Sequence, residues 1–129
     1  ASLTILPGLR EIDLGGWDGV PISEVRQRFP NEYERRGANL IGYRPPGGES
    51  FADLSARVLP VFENTVSIAG NNLLIVGHAG VNRVLLCHLL GIPPANLFRL
   101  EQEYGCLNIM RRTAGAWVVR RVNIPAEIK

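Results

Sequence analysis

Leu73-Leu74-Ile75-Val76-Gly77-His78-Ala79-Gly80 is the stretch on which the fold turns. Four apolar residues ending in a β-branched pair predict a buried parallel strand. The strand runs into a histidine set among small residues. Val81 to Leu90 is then apolar at helical spacing, and Gly91 with Pro93 and Pro94 stops it. His78 is therefore expected at the carboxyl end of a central strand, just ahead of a helix N-terminus. Open α/β sheets bind ligands at that edge. Free N–H groups and the helix dipole favour anions there. A histidine bonded to a loop is the simpler account of His78 alone. Gly77 and Gly80, which let a ligand approach the backbone, set an anion site beside that account.

At 129 residues the chain forms one domain, 1–129, large enough for a single core. Its formal charge of +2 gives no reason to expect nucleic acid. The adjacent arginines 35–36, 111–112 and 120–121 are scattered and fit solvated faces better than a phosphate track. Arg83 and His88 interrupt the longest apolar run, so no membrane span is expected. No signal peptide is read at the start of the sequence. The two cysteines, Cys87 and Cys106, have no C-x-x-C spacing and no nearby histidine pattern for a metal. They are expected as reduced thiols in a cytoplasmic protein. His88, on the same helix as Cys87, reads as a packing or surface residue.

Along the chain, residues 1–20 are glycine-rich, with a short extended piece at 9–14. Ile22, Val25 and Phe29 share one face of a short helix after Pro21, and 31–36 gives another helical turn. Residues 37–48 form a loop ending in Pro45-Pro46-Gly47-Gly48. A long helix is predicted over 51–68, capped by Ser50 with Asp53 at the third position. Its inward face is Phe51, Leu54, Val58, Val61, Phe62 and Thr65, and Pro60 should bend or divide it. After the strand at 73–76 and the helix at 81–90, strands are expected at 97–100, 106–112 and 116–122, the last two joined by a turn at 113–115. This order predicts an α/β three-layer sandwich with a mainly parallel sheet and an antiparallel edge hairpin. Little strand precedes residue 70, so the first central strand of that sheet is missing from the count.

Leu9-Arg10-Glu11-Ile12-Asp13-Leu14-Gly15-Gly16-Trp17-Asp18-Gly19 is the second informative stretch. Glu11 and Asp13, two apart, would share a face of an extended strand. A carboxyl group beside a buried ligand can act as a general acid. A surface turn with solvated acids is the simpler account of these residues alone.

Taken in order, Leu9 to Gly19, Gly47-Gly48-Glu49-Ser50, Gly77-His78-Ala79-Gly80 and Tyr104-Gly105-Cys106-Leu107-Asn108 resemble the histidine phosphatase (phosphoglycerate-mutase-like) superfamily. Within it the chain is most similar to the small bacterial phosphatases assigned as α-ribazole phosphatases. The resemblance implies phosphomonoester hydrolysis through a phosphohistidine intermediate, with no metal and no cofactor. It implies that His78 is the second, phosphate-contacting histidine and Glu11 the proton donor. Backbone N–H groups near Gly80 and Val81 would lie against the phosphate. Glu49 and Ser50 match the turn before the long helix and are carried over as substrate-binding candidates, Ser50 chiefly as a cap. The partner implied is a phosphorylated small molecule.

The family's nucleophilic histidine lies in an Arg-His-Gly motif, and neither His78 nor His88 is followed by glycine. The chain is therefore expected to be the C-terminal two-thirds of such a domain, inactive alone. The missing N-terminal segment, or a second copy in a homodimer, would be its partner. A noncatalytic relative that binds a phosphorylated ligand or a protein is the alternative. A phosphoglycerate mutase is the second alternative. Arg26, Arg28, Tyr33, Arg35, Arg36, Tyr43 and Arg44 lie in the 16–45 region from which substrate choice would come, although a solvated face accounts for most of them.

Overall fold

Two helices packed side by side carry the core of the computed structural model, which describes residues 2–127. The first residues, 7–9 and 15–17, form single 3-10 turns rather than a strand. Two short helices follow, α1 (Ile22–Arg28) and α2 (Pro30–Ala38). Helix α3 spans Phe51–Ile68 and α4 spans Ala79–Leu90. A hairpin of β1 (Leu107–Thr113) and β2 (Ala116–Ile124) closes the described chain.

Helix α3 starts where the Ser50 side chain accepts from the Asp53 N–H and the Asp53 carboxylate accepts from the Ser50 N–H. This reciprocal pairing satisfies two amide groups that a helix start leaves free. Pro60 does not divide the helix. Phe51, Leu54, Val58 and Phe62 are buried along one stripe, at the three- and four-residue spacing of a helix face. They meet Val81, Val84, Leu85 and Cys87 of α4. Helix α4 ends at Gly91, whose φ of 65° suits a residue without Cβ. Of the α1 face expected to be apolar, only Val25 is buried; Ile22 and Phe29 are exposed.

The chain is mixed α/β, and its paired sheet among the described residues is the antiparallel β1–β2 hairpin. Its two-residue turn, Ala114-Gly115, has positive φ at both positions, as the right-handed twist of a hairpin favours. Trp117 packs on Phe62 and ties the hairpin to α3. Residues 72–78 are outside any helix or ladder, and Leu73, Leu74 and Val76 are exposed because no strand pairs with them among the described residues. The strand expected at 97–100 does not form. Pro94–Arg99 is a 3-10 segment, started by a proline whose fixed φ and missing N–H suit a first helical position. Leu97 points into the core from it and Phe98 meets Phe51 edge-on.

Candidate active site

The N-terminus of α4 collects the residues of interest. His78 is the N-cap, with extended backbone and no capping bond from its side chain. Its carbonyl accepts the first helical bond, from Asn82 N–H (2.9 Å), and its imidazole belongs to an exposed residue. The Ala79, Gly80 and Val81 amides therefore precede the first turn's bonding. Gly80 N–H donates to Glu11 Oε2 (3.0 Å), across 69 positions of sequence. Glu11 Oε1 accepts from Ile12 N–H (2.9 Å), so the carboxylate is held from two sides. A carboxylate at this end of a helix is favourably placed against the macrodipole.

Gly80 is buried, and a Cβ there would run into the Glu11 carboxylate. The contact therefore depends on glycine. Val81 is fully buried; its side chain belongs to the core while its backbone lies at the site. Asp13 is exposed and accepts from Gly15 N–H in a local turn (2.8 Å), and it does not share a strand face with Glu11.

Glu49 and Ser50 have other occupations. Ser50 is buried in the cap of α3. Both Glu49 oxygens face the Arg57 guanidinium, at 2.8 Å from Nε and 2.8 Å from an Nη. Asp13 N–H donates to the same carboxylate (3.0 Å) and Arg10 approaches it at 3.7 Å. The Arg57 bond, followed by that of the Asp13 amide, holds the Glu49 carboxyl below its usual range against the opposing effect of burial. Glu49 in turn raises the Arg57 guanidinium.

Arg57, beside this site, is not singled out by sequence reading. Besides Glu49 it donates to the carbonyls of Gly8 (2.8 Å), Arg10 (3.0 Å) and Glu11 (3.3 Å). Its signal was its place three residues after Leu54 and four before Val61, a charge beside an apolar helix stripe.

The arginine-rich 16–45 region is largely surface. Arg28 pairs with Glu24 and Arg35 with Glu32 on exposed helix faces. Tyr43 donates its hydroxyl to Glu32 and packs near the buried Trp17. Burial, and then that bond, push the Tyr43 phenol up to about 12. His88 pairs with Glu63 at the surface (2.9 Å), far along α4 from His78. Among the described residues no three His, Cys, Asp or Glu side chains gather as metal ligands, and no helix is long and apolar enough to cross a membrane.

The chain is 36% identical over 117 residues to the "Bifunctional protein Rv2228c" of Mycobacterium tuberculosis, covering 89% of the chain and 32% of that protein. It is 29% identical over 123 residues to a 2,3-bisphosphoglycerate-dependent phosphoglycerate mutase of Methylobacterium radiotolerans, covering 93% of the chain and 58% of the mutase. The α-ribazole phosphatase of Shigella flexneri superimposes with a TM-score of 0.80 at 25% identity, over 95% of this chain and 63% of that one. The chain thus spans less than two thirds of each of these relatives. Residues 1–125 match the histidine phosphatase superfamily (branch 1), and the chain belongs to that family.

Proposed function

We propose that the α4 N-terminus is the phosphoryl site of a phosphomonoester hydrolase, with Glu11 as proton donor and His78 as one of the groups holding the phosphoryl oxygens. The observation that carries this reading is the Glu11 carboxylate on the Gly80 amide, two residues from His78. A phosphoryl group seated on the Gly80 and Val81 amides would meet both side chains. In the first step a nucleophilic imidazole forms an N–P bond as the P–O bond to the leaving group breaks. Glu11 gives its proton to the leaving oxygen. Water then attacks phosphorus, the N–P bond breaks, and the Glu11 carboxylate takes the water proton. No step calls on a metal or a cofactor. The family's Arg-His-Gly nucleophile does not occur in these 129 residues, and His88 is turned to Glu63. The chain by itself is therefore read as binding phosphate without turnover.

The substrate proposed is a small phosphomonoester of the α-ribazole phosphate type, a choice supported by the Shigella neighbour. A noncatalytic phosphate-binding module is the second reading. The two free thiols, one of them buried, fit a reducing cytoplasmic setting.

The test is a titration of the isotopically labelled chain with inorganic phosphate and orthovanadate, in the presence of a chelator. The amides of His78, Gly80 and Val81 should move, and His78→Ala should weaken binding about tenfold, the loss of one charge-assisted bond. Binding elsewhere on the surface overturns the site. Hydrolysis of a phosphomonoester panel by the same residues joined to an Arg-His-Gly segment separates the hydrolase from the binding module.

A further inference from the structure

Arg57 has five N–H groups, and its hydrogen bonds reach five different acceptor atoms: two oxygens of Glu49 and the carbonyls of Gly8, Arg10 and Glu11. The loop that carries the proposed proton donor is thereby fastened to the second turn of α3. One of the bonds ends on the carbonyl of Glu11 itself. From the other side, Glu49 receives the Asp13 amide, and Glu49 N–H donates to the Asp13 carbonyl at 2.7 Å. Loop 8–13 is gripped at four of its six residues by one ion pair.

The pair is costly as a device for stability alone. Its side chains are only 16% and 18% exposed. Withdrawing two charges that far from water consumes most of their attraction, and an apolar pair of equal volume often serves folding as well. The planar guanidinium fork does fix direction, which an apolar contact does not. We infer that Arg57, held by Glu49, is the positioning residue for Glu11: it sets the loop so that the carboxylate lies against the Gly80 amide at the α4 N-terminus. Arg57 touches no reacting atom in this scheme. The inference rests on the reading of Glu11 as proton donor for its catalytic meaning, and on the hydrogen bonds alone for its structural content.

The test reads the Gly80 amide in the labelled full chain without ligand. Glu11→Gln removes the charged acceptor of this amide and should shift its signal; the size of that shift in each background is the response. Arg57→Met should reduce the response to less than half, while amides of the α3–α4 core keep their positions. Arg57→Lys, which offers a charge without the fork, should restore part of it. Where Arg57→Met fails to fold, the double variant R57M/E49L, which strands neither charge, provides the same reading. An unchanged Gly80 response in either variant overturns the inference, as does a Gly80 signal indifferent to Glu11→Gln. Phosphate added to the unaltered chain is the separate arm. If it leaves His78 and Gly80 unmoved, the phosphoryl-site reading fails while the role of Arg57 in placing Glu11 stands on its own result.

Discussion

The Gly80 amide and the Glu11 carboxylate meet at 3.0 Å although 69 positions separate them. A helix start draws an anion to its free amides, and here a side chain of the same protein supplies it. The group proposed to give up a proton thus rests in the free chain on an amide proposed to receive phosphate. An arriving phosphate and an ionised Glu11 compete for that amide.

Gly80→Ala places a methyl group against the Glu11 carboxylate. The hydrogen bond should be lost at a cost of roughly 1.5–3 kcal/mol, the range for a bond to a charged acceptor. Urea unfolding measures the loss. Glu11→Ala in the same background should cost little more, because the two changes remove one interaction.

Stability should depend on pH at both extremes. Glu49 is held below its usual value by Arg57, and Asp53 by Arg44 and then by the Ser50 backbone and hydroxyl. A carboxyl group depressed in the folded state stabilises above its unfolded value, and the contribution is lost as pH falls through the folded one. The chain should therefore weaken steadily below about pH 4.5, and Glu49→Gln should flatten part of that slope. Tyr43 behaves oppositely. Its phenol is raised from 10.0 to about 12, so the stability it contributes is full below pH 10 and disappears as pH rises through 12. Thermal melts across the pH range, compared with Tyr43→Phe, check both limbs.

Ser50→Ala should cost about 1 kcal/mol by opening the reciprocal cap of α3. Phosphate affinity should stay within about twofold, because the hydroxyl is spent on Asp53 and the change leaves the Gly80 amide untouched. A tenfold loss of affinity without loss of stability would instead put Ser50 in contact with the ligand.

The 129-residue chain should not hydrolyse a generic aryl phosphate at a rate above background. In-line attack needs a nucleophile opposite the leaving group, whereas His78 is assigned to the oxygens around phosphorus. Removing one member of a cooperating set costs several orders of magnitude. Turnover abolished by His78→Ala would make His78 the nucleophile and reverse the assignment.

Local signals were the legible part of this molecule. Ser50, Asp53 and the spacing of Phe51, Leu54, Val58 and Phe62 predicted α3 with both ends in place. Gly91 likewise marked the end of α4, whereas its start, expected at 81, falls at 79, directly after His78. The strand misread at 97–100 shows the limit of periodicity in short apolar runs, since Pro93-Pro94 already argued for a helical start. Leu73–Val76 has the composition of a central strand, but strand identity is a matter of partners, and none pairs with it among the described residues. The Arg57–Glu49 pair left almost no trace, because it joins a helix to two loops and neither end shows which carbonyls the guanidinium will find.

The distance in sequence between Glu11 and Gly80 also orders events in time. Helices α3 and α4 can form and dock while loop 8–13 is still unbound, since contacts near in sequence close first. The Arg57 bonds to loop 8–13 and the Gly80–Glu11 bond should follow, as the longest chain closures of the site. Phosphate binding during refolding should therefore lag behind the recovery of helical signal. The site thereby becomes a reporter of the last step.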